Sequence, residues 1–589
     1  MATALADNLD GATPAAQPKR PVRRSPLWWP AVALPAAVAV AYVVVRRRLT
    51  GDLEYVLGAL RTGRQAGYSP SEVFTHRPYF YRWFIAILDR LTFGGTTVHE
   101  ALIEAAGVLL AAAAAFALYV ALLRQLTGRE AALSAGAVGL ALTLAPRNDF
   151  LQPEWAAVVL TVLALAAALG PEKPWRGALL AALPLALAVM MKYSTAASAA
   201  IGVLLVYAVD RGRAVRLALI AVPGAVALFA LSVLAGSHEW QWTKDMPQLN
   251  ASAIGRTGIH PGFILDRSVE FLADRSVESP VLLLLPGALL LVLCRVRGRR
   301  RRTELTLVAL TIGGAAQAVV AVQGNWFMYH GAQMPVLAAA LWGLAVGGAR
   351  RSPPWFFGAV SLLYGGLPVL YAKLPEDLQR PYVVGLAGLA ALLAAVLDAW
   401  LEARVRARAQ SPGGRATAPR ISRGVLPAVL AALAGVVCLA ASSWPGSPHL
   451  VQFGEVLATN SGYLRSLEDS EKDADRIRAE LPADAPVLYL AFGDAAYFVG
   501  HPAQCRYPIA TFLQRTRFLA DVTELKSFQE NADCVDHDPA PYAVLDRGWF
   551  RPGKVDPALA RRISAVYDCP TLKESGDVQF VLCDRRNGT

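Results

Sequence analysis

Charge is what this chain has least of. Over 589 residues only 17% are Asp, Glu, Lys or Arg, against a hydrophobic fraction of 55% and a mean hydropathy of +0.38. Soluble domains of such length rarely carry so few charges, which sets aside an ordinary water-soluble globular class. Cysteine is scarce too: there are six, and none form a C-x-x-C pair, which argues against a zinc-ribbon site. No small-residue cleavage site follows the first apolar segment, and residues 1–26 are polar and basic, so no cleavable leader is expected. Internal repeats are lacking as well.

What the chain has instead is Ala, Leu and Val in blocks of about 17–22 residues, the length that crosses a hydrocarbon core. The blocks start near Trp28, Ala101, Ala131, Trp155, Gly177, Thr195, Leu217, Pro280, Leu305, Ala332, Pro354, Tyr382 and Gly424. The expected fold is a polytopic α-helical membrane protein of about 13 spans. With residues 1–26 as a disordered cytoplasmic tail, every second loop should be basic. Six are, including Arg295–Arg302, Arg350 with Arg351, and the run from Arg404 to Arg423. One loop is discordant: Arg46, Arg47 and Arg48 fall on the outer side. The net charge of +12 therefore belongs to membrane orientation and not to nucleic acid.

Thirteen spans (residues 27–443) would place residues 444–589 outside the plasma membrane. Cysteine use points the same way. Cys505, Cys534, Cys569 and Cys583 all lie in this tail, while Cys294 and Cys438 sit in or beside apolar blocks. An even set confined to an exported part suits two disulfides of undetermined pairing. The tail reads as a small α/β domain with strands at Val487–Ala491, Tyr542–Leu545 and Val578–Leu582. Helical spacing recurs at Asp473–Leu481 and Pro557–Val566. Without a nucleophile motif or phosphate loop, it is expected to be a structural or docking cap.

Chemistry concentrates in the outer loops, where ionisable groups near a membrane face are costly and usually purposeful. The first, residues 46–100, carries Asp52 and Glu54, then His76-Arg77-Pro78-Tyr79 before an aromatic-rich helix. Later outer loops offer Asn148, Asp149 and Glu154; Lys192 and Tyr193; His238, Lys244 and Asp245; His260; and Asn325, Tyr329 and His330. A carboxylate to take a proton and cations to receive a phosphate suit sugar transfer from a lipid phosphate to a hydroxyl. Asp52 and Glu54 are the candidate catalytic acids; His76, Arg77, Asn148, Asp149, Glu154, Lys192, Tyr193 and His330 are the candidate substrate-binding set. The bland alternatives are an N-cap for Asp52, a first-turn dipole acid for Glu54 or Glu154, and interfacial snorkelling for Arg77. Asp-x-Glu could also hold a divalent metal, but none is favoured.

In order of features the chain resembles the GT-C superfamily of membrane glycosyltransferases, in the branch of protein O-mannosyltransferases and the lipid A aminoarabinose transferase. The likeness rests on Asp52-Leu53-Glu54-Tyr55 after the first span, Gly63 or Gly67, His76-Arg77-Pro78-Tyr79, an acid at Asp149 or Glu154, Lys192, and Asn325–Pro335. It covers roughly residues 27–350. Arg77 intervenes where that family has two prolines. The resemblance implies a polyprenyl-phosphate sugar donor, inversion at the anomeric carbon, Asp52 as general base with Glu54 its neighbour, and a glycan, lipid or protein acceptor. A bacterial plasma-membrane location and no cofactor go with it. The competing classes are a transporter or lipid flippase, expected to show broken mid-membrane helices and paired repeats, and a non-catalytic assembly protein displaying the tail.

Overall fold

The computed structural model describes residues 28–254, 261–349, 353–375, 381–410, 425–452, 454–508, 523–537, 540–548, 550, 557–570 and 578–586. The expected tail 1–26 and His260 lie outside these. The helical part opens with α1 (Trp28–Arg46), α2 (Gly51–Gln65), α3 (Tyr79–Leu91), α4 (Thr96–Leu122), α5 (Gly128–Thr143) and α6 (Pro153–Leu169). It continues with α7 (Pro174–Met191), α8 (Ala196–Val209), α9 (Arg211–Ala235), α10 (Glu239–Ile254), α11 (Pro261–Glu278) and α12 (Leu285–Arg295). Then follow α13 (Arg299–Gln323), α14 (Gln333–Gly347), α15 (Trp355–Tyr364), α16 (Leu367–Tyr371), α17 (Pro381–Gln410) and α18 (Val425–Ala440).

Each of the thirteen apolar blocks falls on a helix, but not each is a span by length and composition. Among the described residues five helices meet that standard alone: α4, α7, α9, α13 and α17. Gly262–Glu278 and Pro280–Arg295 meet it together, bent by 110° at a short break. Five shorter apolar helices, on α1, α6, α8, α15 and α18, accompany them. The long helices turn bare Leu, Val and Phe outward, among them Leu109 and Phe116 on α4, Leu219 and Leu234 on α9, and Leu386 and Leu393 on α17. Such exposure suits a hydrocarbon solvent, in which helices alone satisfy their backbone.

The discordant arginines have a local cause. Arg47 donates to the carbonyls of Thr143 (3.0 Å) and Ala145 (3.2 Å) and lies 3.9 Å from Glu104. Arg48 pairs with Glu100 at 2.5 Å and Glu471 at 3.2 Å. They are internal structural cations, so the charge rule for exposed loops does not govern them.

The tail begins with an antiparallel pair, β1 (Pro448–Gln452) and β2 (Glu455–Thr459), then α19 (Asn460–Glu480), β3 (Val487–Leu490), α20 (Ala495–Val499), α21 (Lys526–His537) and β4 (Tyr542–Asp546). It ends with α22 (Pro557–Val566), β5 (Tyr567–Asp568) and β6 (Phe580–Arg585). The strands form a sheet of order β3-β4-β6-β5, with β3 parallel to β4 and the other pairs antiparallel. The expected strands are β3, β4 and β6; β1 and β2 were not expected, and β5, two residues long, is too short to read from alternation. Disulfides join Cys505 to Cys534 and Cys569 to Cys583. One apolar core runs from α2 (Leu53, Tyr55, Val56) into the tail (Tyr489, Tyr497, Phe498), so the two parts are packed as one body.

Candidate active site

Helix α2 starts at Gly51 after an extended Thr50, and Thr50 makes no side-chain cap. Asp52 is thus the second helical residue and not the N-cap. It sits in the first turn, where the helix dipole favours an acid. About a quarter of its side chain (27%) is exposed, and its charged neighbour is Arg77, Nη2 to Oδ2 at 3.7 Å. Burial pushes the Asp52 carboxyl up; Arg77 and then Lys192 pull it down, and Glu154 pushes it up again. Glu54, two residues on, lies on the other side of the helix, as a step of about 200° requires. It is wholly buried, and its charged neighbours are Asp494, Glu100, Arg48 and Glu471. The expected partnership of Asp52 with Glu54 therefore fails: the two diverge and cannot clamp one proton or one ion. Among the described residues no three His, Cys, Asp or Glu side chains are spaced to hold a metal.

Arg77 owes its place to a braced turn. His76 has φ +49°, in the left-handed region that non-glycine residues seldom occupy. Arg82, on α3, donates to the carbonyls of Pro70 (2.8 Å) and Arg77 (2.7 Å) and to Glu239 (2.7 Å). Glu239, at the start of α10, also accepts from the Tyr79 amide at 2.9 Å. This buried pair spans 157 residues and fixes both ends of the His76–Tyr79 turn. His76 is half-buried, and desolvation, then Arg77 and Lys192, lower its basicity well below the ordinary imidazole.

The third element is a basic and acidic cluster beside that turn. Pro153 opens α6, and Glu154 follows in its first turn. Lys192, between α7 and α8, donates to Glu154 at 2.6 Å and lies 3.1 Å from His330 Nε2. Burial and the nearby Lys192 and Arg77 keep His330 neutral, so its Nε2 accepts from the ammonium. Lys192 also lies 5.5 Å over the ring of Tyr329. Tyr81 hydrogen-bonds the Leu151 carbonyl at 3.0 Å, tying α3 to this loop. His76, Leu151 and Trp326, three of the four non-glycine residues with positive φ among the described residues, lie in the loops that meet here. Backbone strain of this kind gathers where function holds a loop in an unfavourable shape.

The structure thus unites Asp52, His76, Arg77, Glu154, Lys192 and His330. The other expected site residues are engaged elsewhere. Asp149 is sealed in a bidentate pair with Arg275, one contact at 3.1 Å, and Arg275 reaches Glu278 at 3.2 Å. Asn148 donates to the His449 carbonyl at 2.7 Å, anchoring β1 of the tail. Tyr193 meets the Thr243 hydroxyl at 3.3 Å and packs on Phe229. His238 and Asp245 face the tail through Arg506 and Ser527, and Lys244 lies over Trp240. Sequence reasoning missed Arg82 and Glu239, which read as plain helix charges until their partners are known, and Tyr81, which read as one of many loop aromatics.

No protein-family model matches the chain, and no curated protein does. Its fold matches the crystal structure of ArnT from Cupriavidus metallidurans in the apo state, with TM-score 0.54 and 15% identity over 94% of this chain and 97% of that one. ArnT from the same organism bound to undecaprenyl phosphate aligns with TM-score 0.49 and 15% identity, over 95% and 98%. The arabinosyltransferase EmbB from Mycobacterium smegmatis aligns with TM-score 0.41 and 16% identity, over 75% of this chain and 43% of EmbB. The chain thus shares its fold with apo ArnT, in keeping with the architecture expected from the order of features.

Proposed function

We propose that the protein is a GT-C glycosyltransferase that moves a sugar from a polyprenyl phosphate to a hydroxyl of a glycan, lipid or protein. In this reading the chain crosses a bacterial plasma membrane thirteen times, with residues 444–589 on the outer side. The two disulfides of the tail support that side. The observation that carries the reading is Asp52, partly open and only loosely met by Arg77 at 3.7 Å, with Lys192 in the same electrostatic neighbourhood.

Asp52 takes the proton of the acceptor hydroxyl as its oxygen attacks the anomeric carbon from the face opposite the phosphate. The bond from that carbon to the phosphate oxygen breaks, its electron pair leaves with the lipid phosphate, and the configuration inverts. Arg77 and Lys192 offset the charge that grows on the leaving phosphate, Arg with its planar fork and Lys as a point charge. Glu154 and His330 hold the Lys192 ammonium in place. ArnT, whose apo structure shares this fold, is a protein that binds undecaprenyl phosphate, a compound of the class that the proposed transfer releases.

The test uses the full-length protein in lipid nanodiscs with a panel of labelled polyprenyl-phosphate sugars. Release of polyprenyl phosphate by Asp52→Asn should fall at least about 100-fold, the lower range for loss of a general base, at an unchanged thermal midpoint. Near-normal turnover in that variant removes Asp52 from the base role. No turnover by the unaltered protein with any lipid-linked sugar in the panel counts against the donor class.

A further inference from the structure

We propose that the tail segment 489–503 is a positioning element for Asp52, seated on α2 through Gly58 and Glu54, and that it acts on turnover and not on donor binding. The inference rests on the reading of Asp52 as the base.

The segment runs along one side of α2, beside the Gly51 that precedes Asp52 and on to Thr62. At one end, Tyr55 packs on Phe492 with ring centroids 5.2 Å apart. In the middle, a Cβ on Gly58 would lie 2.6 Å from the Tyr497 amide nitrogen and 3.0 Å from its Cα, so backbone meets backbone with no room for a methyl group. At the other end, the Ala503 amide donates to the Thr62 carbonyl at 3.1 Å, and Arg61 lies 4.9 Å over the Tyr497 ring. About two turns of the helix are thus held from one side. Asp52 is on the same rigid rod, so a tilt at Gly58 moves its carboxylate relative to Arg77 and Lys192, which belong to other elements. Displacements near 1 Å cost a positioned catalytic group roughly 100-fold in rate.

Glu54 makes the seat chemically particular. It is 0% exposed, and neither carboxylate oxygen has a hydrogen-bond partner. A charged group so placed is costly, so burial favours the neutral carboxyl while the tail is seated. The groups facing it are Asp494 before α20, Glu100 on α4, Arg48 after α1, and Glu471 on α19; Tyr463 and Tyr497 also lie in its field. Burial, then Asp494 and Glu100, push its carboxyl well above the ordinary range, and Arg48 opposes them. The sign follows. The bound proton stabilises the seat, and that contribution is lost as pH rises through the raised value.

The experiment compares full-length Gly58→Ala and Glu54→Gln with the unaltered protein, reading hydrogen exchange over 489–503, kcat, and KM for the lipid donor. Gly58→Ala should raise exchange in the segment and lower kcat roughly 10- to 100-fold, with donor KM within about twofold. Glu54→Gln should keep turnover at neutral pH and carry activity to higher pH than the unaltered protein. Unchanged exchange in Gly58→Ala, raised exchange without loss of kcat, or a donor KM rising in step with the loss would each overturn the proposal. If Gly58→Ala does not fold, an unmoved alkaline limb in Glu54→Gln does so alone. Asp52→Asn separates the two readings. A dead Asp52→Asn beside a fully active Gly58→Ala sinks only the seat, whereas an active Asp52→Asn removes the base and the seat's purpose with it.

Discussion

Two arginine–aspartate pairs stand close together in this molecule, and they are built to opposite specifications. Arg275 holds Asp149 in two contacts and Glu278 in a third, and the side chains are at most 2% exposed. Arg77 meets Asp52 once, at 3.7 Å, with Asp52 27% exposed. The first pair is sealed on all sides, with Arg275 Nε left bare inside it, and can only hold structure. The second leaves a partly exposed carboxylate for something else to occupy. In the proposed reading the working pair is therefore the one left open to a ligand.

Matched substitutions break the comparison most sharply. Asp52→Asn should remove at least about 100-fold of the rate while melting as the unaltered protein does. Asp149→Ala should do the reverse. It leaves the buried Arg275 guanidinium with Glu278 as its remaining carboxylate, a loss of up to about 3–5 kcal/mol, read as a lowered thermal midpoint, while the protein that stays folded still turns over. If the two variants exchanged phenotypes, the division of labour between the pairs would be wrong. Arg77→Gln should act on the donor, raising its KM roughly 10- to 100-fold, the effect of a lost charge-assisted contact.

The smallest expected effect is a shift in the pH profile. Asp52 must be ionised to accept a proton, and burial raises its carboxyl above the ordinary aspartate range. Activity should therefore fall as pH drops through that raised value. Arg77 pulls the carboxyl down, so Arg77→Gln should move the acid limb to higher pH. A limb that stays put, followed by initial rates from pH 4 to 8, would show that Asp52 does not feel Arg77.

Much of this was legible in the sequence. The apolar blocks fell on helices because a run of Ala, Leu and Val of that length has few other fates. Pro153 located the start of α6 and hence Glu154. The His76–Tyr79 turn was conspicuous because proline and aromatics punctuated it. What could not be read was direction. Asp52 and Glu54 look like equals until a tail more than 400 residues away covers one face of their helix. Asp149 looked as available as Glu154 until Arg275, 126 positions on, enclosed it. Arg47 and Arg48 weakened the charge rule because their carboxylate partners were invisible. Each of these depends on long-range pairing, which periodicity does not encode.

The tail is tied to residues 46–100 partly through the polypeptide itself. The Phe74 amide donates to the Arg506 carbonyl at 2.9 Å, and the Ala503 amide to that of Thr62. Main-chain bonds of this sort are indifferent to which residues flank them. A joint so made can survive wide drift in the letters on either side, and two chains could keep it long after their alphabets had ceased to agree.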